Sequence, residues 1–136
     1  MIGRPAVVIA SLLLATFVVA CNQSASTPSS SSSTAATETF ASRIGPGGAA
    51  TRGFRSAAGA VSLTLTELRP AVLVGLGLGV PRADGTSCLL TRSVETLAAT
   101  TAHVTLAVDG GSYCVKVWDV GTIVDYVDFT VSIAHP

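Results

Sequence analysis

The residues of this chain that could support chemistry are few: three cysteines, two histidines and a late group of aspartates. The cysteines are Cys21, Cys88 and Cys114, and the histidines are His103 and His135. The sequence has neither a Gly-x-Ser-x-Gly elbow nor a His-Glu-x-x-His motif, the patterns of many hydrolases and zinc proteases. We therefore expect a protein that is not an enzyme and that uses no cofactor.

Cys21 closes a short apolar run near the amino terminus. The run covers residues 6–20 and follows the positive charge of Arg4. A membrane-spanning helix needs about 20 apolar residues, so this run fits a cleaved export signal better than an uncleaved anchor helix. Its last residues, Val18-Val19-Ala20-Cys21, resemble the lipobox of bacterial lipoproteins.

The lipobox resemblance implies that residues 1–20 are a signal peptide and that the Cys21 thiol is acylated. Several acyl chains, at about 0.8 kcal/mol per buried CH₂ group, make a lasting membrane anchor. Among bacterial lipoproteins, an Asp directly after the lipidated cysteine favours retention in the inner membrane. This chain has Asn22 at that position, so we expect the outer membrane in a host with two membranes. An ordinary signal peptide with an incidental cysteine is the alternative.

With Cys21 assigned to lipid, Cys88 and Cys114 remain as a pair. Exported proteins fold in an oxidising compartment, so we expect a disulfide between these two residues. It would close a loop of about 26 residues, and in the chain-entropy model such a cross-link raises the free energy of unfolding by about 3 kcal/mol. A zinc site made by this pair with His103 and His135 is the alternative, although the close ligand spacings typical of zinc are missing.

Residues 21–56 lack the alternation expected of a folded segment. Residues 22–36 are Ser, Thr, Ala, Asn, Gln and Pro, and a Gly-Pro-Gly-Gly sequence follows at 45–48. Such a composition buries too little apolar area to offset its ordering entropy, so we expect a flexible tether over residues 21–56. A basic patch for lipid headgroups or polymer is the alternative interpretation of its arginines, Arg43, Arg52 and Arg55.

Residues 57–136 alternate apolar and polar side chains in short runs. The alternation predicts strands over residues 61–66, 72–79, 87–91, 104–108, 113–118 and 127–133. Asp84-Gly85 and Asp109-Gly110-Gly111 mark turns between them. The pattern predicts one all-β domain over residues 57–136, folded as a small antiparallel jelly-roll-like β-sandwich.

Two segments of this domain resemble a known bacterial family. Residues 111–119, Gly-Ser-Tyr-Cys-Val-Lys-Val-Trp-Asp, followed by residues 126–133, resemble the carboxy-terminal half of pre-peptidase C-terminal domains. Residues 76–85 match the family's preceding strand and turn. The resemblance implies a jelly-roll-like accessory module. Some members bind collagen or calcium, but the family's acidic calcium signature is not recognisable here, so only the fold is carried over.

The candidate ligand surface lies around the end of one predicted strand. Trp118 is on the polar face of that strand, and Asp119, Asp125 and Tyr126 follow in or beside the next loop. Together they are predicted to hold a glycan, a polypeptide or another envelope partner. A calcium site made by Asp119, Asp125 and Asp128 is the alternative, but the spacing is not that of an EF-hand, so no metal is expected.

Two function classes remain. The first is a lipid-anchored surface protein that carries a binding or adhesion module. The second is a structural or assembly lipoprotein whose sheet edge pairs with another exported protein. Once the predicted signal peptide with Arg4 is removed, the chain has seven Arg or Lys residues and eight Asp or Glu residues. It therefore lacks the positive charge expected of a nucleic-acid-binding protein, and nucleic acid is not an expected partner.

Overall fold

Eight β-strands build the part of the protein that the structure describes, residues 34–136 of a computed structural model. In chain order they are β1 Ala36–Ile44, β2 Ala49–Ser56, β3 Gly59–Arg69, β4 Val74–Pro81, β5 Cys88–Thr96, β6 Val104–Val108, β7 Gly111–Asp119 and β8 Val127–His135. These residues include no helix long and apolar enough to cross a membrane. The predicted signal peptide, Cys21 and the first part of the tether lie outside the described residues.

The strands form two antiparallel sheets. Sheet A has the order β1-β8-β3-β6, and sheet B has the order β2-β7-β4-β5. This is the strand order of an eight-stranded jelly roll, in which two four-stranded sheets pack face to face. The prediction of an all-β, jelly-roll-like sandwich is therefore confirmed.

The core lies between the sheets and follows from the alternation of the strands. Every second side chain of β3 and β8 points inward from sheet A, and the same is true of β4 and β7 in sheet B. The largest fully buried side chains are Phe129, Leu63, Leu65, Leu76, Leu78 and Ile133. Each side chain of this size contributes roughly 1.5 to 3 kcal/mol when fully buried.

The predicted tether is wrong for residues 36–56, which form β1 and β2. Strand β1 pairs with β8 along its whole length, and β2 pairs with β7. Each strand also adds aromatic rings to the core: Phe40 meets Phe129 edge to face with ring centroids 5.2 Å apart, and Phe54 is buried in β2. Long-range ladder hydrogen bonds thus order a segment whose local composition is weakly apolar.

The two ends of the sandwich differ. Because consecutive strands run in opposite directions, the connections 45–48, 70–73, 97–103 and 120–126 lie together at one end, named here the loop end. The connections 57–58, 82–87 and 109–110 lie at the other end, where β1 begins and β8 finishes. The chain therefore enters the sandwich at the end opposite to the loop end.

Candidate functional site

Cys88 and Cys114 form a disulfide. Their Cα atoms are 5.9 Å apart, and the two residues are 26 positions apart in the sequence. The bond joins the first residue of β5 to β7, although β4 lies between these strands in sheet B. The predicted pairing is confirmed, and the alternative zinc site is wrong because both thiols are consumed.

A row of glycines explains how β5 reaches β7. Gly75, Gly77 and Gly79 of β4 pair with Trp118, Lys116 and Cys114 of β7 and face away from the core. A Cβ atom on Gly79 would overlap the backbone of Leu89. The register of β4 and β5 shifts between Leu78 and Gly79, so the start of β5 lies over the bare glycine backbone.

Trp118 belongs to this covering layer. A Cβ atom on Gly75 would overlap its indole ring, so the ring lies flat against the Gly75 backbone. The side chain is half-buried, and the Lys116 ammonium lies 5.9 Å from its ring centroid. The structure thus uses Trp118 to cover sheet B, as part of the fold.

Asp119 organises the loop between β7 and β8. Its Oδ1 accepts hydrogen bonds from the backbone N–H groups of Gly121, Thr122 and Ile123 at 2.8, 2.9 and 3.1 Å. Its Oδ2 accepts one from Gly47 at 2.8 Å, in the connection after β1. These bonds, the one from Gly47 first, hold the pKa of this carboxyl below its ordinary value. Asp119 therefore positions the loop end and has its oxygens occupied.

The rest of this loop is open to solvent. Val124 is 94% exposed and Tyr126 is 63% exposed, and Asp125 between them is exposed as well. The Tyr126 ring lies against Gly45, since a Cβ atom there would be 3.2 Å from Cε1 of the ring. Of the four predicted ligand residues, Asp125 and Tyr126 are thus accessible, whereas Trp118 and Asp119 serve the fold.

The alternative calcium site is not supported by the geometry. Asp128 accepts two hydrogen bonds from Arg43, at 2.7 Å from Nε and 2.9 Å from Nη2. This guanidinium lowers the pKa of Asp128, and the carboxylate in turn raises the pKa of Arg43. Within residues 34–136 no group of three or more His, Cys, Asp or Glu side chains is arranged to hold a metal ion.

A groove of about 470 Å³ crosses the outer face of sheet A near the loop end. Residues from β1, β8 and β3 line it, among them Arg43, Asp128, Thr130, Glu67 and Arg69. Sequence reasoning missed this groove because its residues come from three strands, one of them placed in the tether. The available signal was the spacing of Tyr126 and Asp128, which stand two positions apart on either side of the apolar Val127.

Both histidines take part in the sandwich. The Nδ1 atom of His103 accepts a hydrogen bond from the backbone N–H of Leu65 at 3.1 Å and so extends the ladder beyond β6. His135 is buried, with Nε2 3.1 Å from Oε1 of Glu38 and its ring 5.3 Å from that of Phe54. These contacts join β8 to β1 and to β2.

A scan against protein-family models matched none of them to this chain, and a search of the curated proteins likewise found no relative. The resemblances to the lipobox and to pre-peptidase C-terminal domains therefore stay predictions.

Proposed function

We propose that the protein is a non-catalytic, lipid-anchored envelope protein whose sandwich is a binding or adhesion module. In this proposal Cys21 carries the lipid, and the loop end of the sandwich contacts the partner. The outer membrane is the proposed location in a host with two membranes. The jelly-roll strand order supports the further proposal that the domain is related to pre-peptidase C-terminal domains.

The observation that carries the proposal is the exposed loop between β7 and β8. An apolar side chain that is 94% exposed, Val124, stands next to a largely exposed aromatic ring, Tyr126. The four hydrogen bonds to Asp119 hold this loop in place, so its side chains are presented without a large ordering cost on binding. Binding residues commonly occupy loops of this kind on a rigid scaffold.

The direction of the chain supports the same function. Strand β1 begins at the end opposite to the loop end, so a tether that precedes it leaves the exposed loop free.

Site-specific photo-crosslinking in intact cells tests the proposal. A photoreactive residue is placed at Val124 in the full chain, and at Ser112, which is exposed at the start of β7, as the matched control. We expect adducts with an envelope polymer or polypeptide from position 124 and none from position 112. Intact mass of the same material reports whether the mature chain begins at an acylated Cys21.

Three outcomes would count against the proposal. Equal labelling of positions 124 and 112 would show that the loop end has no special role. No adduct from either position would contradict a binding module. A third photoreactive position is Arg92, exposed on the edge strand β5, and adducts from this position alone would favour the alternative in which a sheet edge pairs with another exported protein.

A further inference from the structure

Tyr126 lies on the same face of sheet A as the groove. Strands β1 and β8 are in register, with Arg43 opposite Asp128 and Ile44 opposite Val127. Ile44 and Val127 are buried, so Arg43 and Asp128 face outward. One position beyond this ladder, the Tyr126 ring lies beside Gly45, and because Val127 is buried, the alternation turns the Tyr126 side chain to the outer face. The ring therefore lies beside the loop end of the groove, close enough to Arg43 to act on its charge, and is not one of the residues that line the groove.

This ring is largely exposed and has one local contact. A Cβ atom on Gly45 would lie 3.2 Å from its Cε1 and 3.5 Å from its Cδ1, so one edge of the ring lies beside Gly45, and the residue remains 63% exposed. A tyrosine side chain has only two torsions to fix, so its ring offers an apolar surface at low conformational cost.

The charged groups of the groove lie in two pairs of opposite sign. Arg43 and Asp128 form a bidentate pair, and Arg69 lies 3.9 Å from Glu67, which also accepts a hydrogen bond from Thr130 at 3.3 Å. The side chains of the two pairs remain 57% to 81% exposed. Arg43 gives Asp128 two of its N–H groups, so the guanidinium still has donors for a ligand.

These features indicate which class of ligand would fit the groove. Two cationic and two anionic side chains cancel, so the groove has no net attraction for a charged polymer. A sugar ring has one face rich in C–H groups, which stacks on an aromatic ring, and a rim of hydroxyls, which pairs with guanidinium and carboxylate groups. A volume of about 470 Å³ falls within the range of small-molecule sites.

We propose that Tyr126 and the groove of sheet A form a binding site for a neutral polysaccharide, with Tyr126 as the stacking platform. Arg43, Asp128, Arg69 and Glu67 supply the hydrogen bonds to the hydroxyls. The assignment rests on the proposed function and names its ligand class and its site.

Titration of the isotope-labelled full chain in detergent micelles tests the assignment. The probes are neutral hexasaccharides of glucose, mannose, galactose and N-acetylglucosamine, together with a proline-rich peptide, which also stacks on tyrosine rings. We expect at least one saccharide to shift the amide signals of residues 41–45 and 126–130. The variant Tyr126→Ala should weaken binding by about tenfold or more, a loss of about 1.4 kcal/mol, while Tyr126→Phe should retain it.

The matched control is Ser112→Ala, which changes an exposed side chain at the end of the sandwich opposite to the loop end and should leave saccharide binding unchanged. Binding that survives Tyr126→Ala would place the site elsewhere and overturn the assignment. Shifts with the peptide alone, or with no probe, would overturn it as well. The proposed function would then still stand if Val124 gave crosslinks, and both would fail if it gave none.

Discussion

The outer faces of the two sheets differ although both come from alternating strands. Sheet B carries glycines at its outward positions in β4, and the chain covers them with Trp118, Leu90 and the first residues of β5. Sheet A carries Thr, Ser and charged residues at the corresponding positions, and nothing in residues 34–136 covers its groove. The first face is covered by the protein's own residues, and the second is open to solvent.

The comparison shows what a glycine contributes in an outward strand position. In sheet A, side chains at outward positions face solvent. In sheet B, the outward positions of β4 have no side chain, so the Trp118 ring and the backbone of β5 can approach the sheet. The result is local burial on a face that alternation alone assigns to water. The two faces should therefore differ in how strongly added atoms, lost atoms and acid change the stability of the protein.

The largest expected effect is that of Gly79→Val. The new side chain would overlap the Leu89 backbone, so the start of β5 has to move away from β4. We expect a loss of about 3 kcal/mol in the free energy of unfolding, measured by urea denaturation. Gly53→Val is the control, because a Cβ atom on this exposed glycine of β2 would be 3.8 Å from its nearest neighbour. Equal losses in both variants would refute the covering role of β5.

Loss of the disulfide should have an effect of similar size. A Cys88→Ser/Cys114→Ser double variant releases a cross-link across 26 positions, which we expect to lower the free energy of unfolding by about 3 kcal/mol. Reduction of the unaltered chain should give the same urea midpoint as the double variant. An unchanged midpoint would show that the glycine row holds β5 in place without the bond.

Trp118→Ala should cost about 2 kcal/mol, since it exposes the Gly75 backbone and removes a half-buried ring. Its combination with Gly75→Ala should cost less than the sum of the two single variants, because the added methyl then occupies space vacated by the ring. A double-mutant cycle from urea unfolding measures this coupling. Strictly additive losses would mean that the ring does not rest on Gly75.

Acid should weaken the turn of sheet B more than the face of sheet A. Asp84, in the connection from β4 to β5, accepts hydrogen bonds from Ser87 and Thr86, which lower its pKa from 3.8 to about 2. A carboxyl with a lowered pKa in the folded state stabilises the protein above its ordinary pKa and loses that contribution as pH falls towards 2. The urea midpoint should therefore fall between pH 4 and pH 2. Asp84→Asn should reduce this acid-induced fall of the urea midpoint more than Asp128→Asn does, although the pKa of Asp128 is also lowered. The opposite order would assign the acid response to sheet A.

The smallest effect is expected on the open face. Ala134 is exposed on β8, so Ala134→Thr adds atoms that meet solvent and should change the free energy of unfolding by less than about 0.5 kcal/mol. Thermal melts of this variant beside Gly79→Ala give a direct contrast, because the methyl on Gly79 would overlap the backbone carbonyl of Leu89. Comparable losses in the two would remove the distinction between the faces.

Local patterns were sufficient for the strands with strong apolar–polar alternation and insufficient for β1 and β2. The prediction of residues 104–108 matches β6, and the predictions over 61–66 and 127–133 fall inside β3 and β8. These strands alternate strongly apolar with polar residues, so their burial is visible in the sequence. Strand β1 buries mainly Phe40 and Ile44, and its order depends on pairing with β8 at the far end of the chain. No local pattern records such pairing.

The same limit applies to the candidate site. Alternation correctly placed Trp118 on the outer face, but the sequence could not show that its ring would rest on Gly75, a residue of another strand. The aspartates were predicted from their type, whereas their roles depend on partners such as Gly47 and Arg43. Arg43 itself was assigned to the tether, so its pairing with Asp128 was out of reach.

The position of β8 in sheet A has a consequence for the order of events in folding. This last strand lies between β1 and β3, with Ala36 opposite His135, so β1 has no ladder partner until residues 127–135 are available. Pairing across so much of the chain is slow, typically milliseconds to seconds for sandwiches. Sheet A therefore cannot be completed before β8 has been synthesised, and until then β1 waits without the strand that it pairs with, whereas the pairing of β3 with β6 and all of sheet B involve earlier strands.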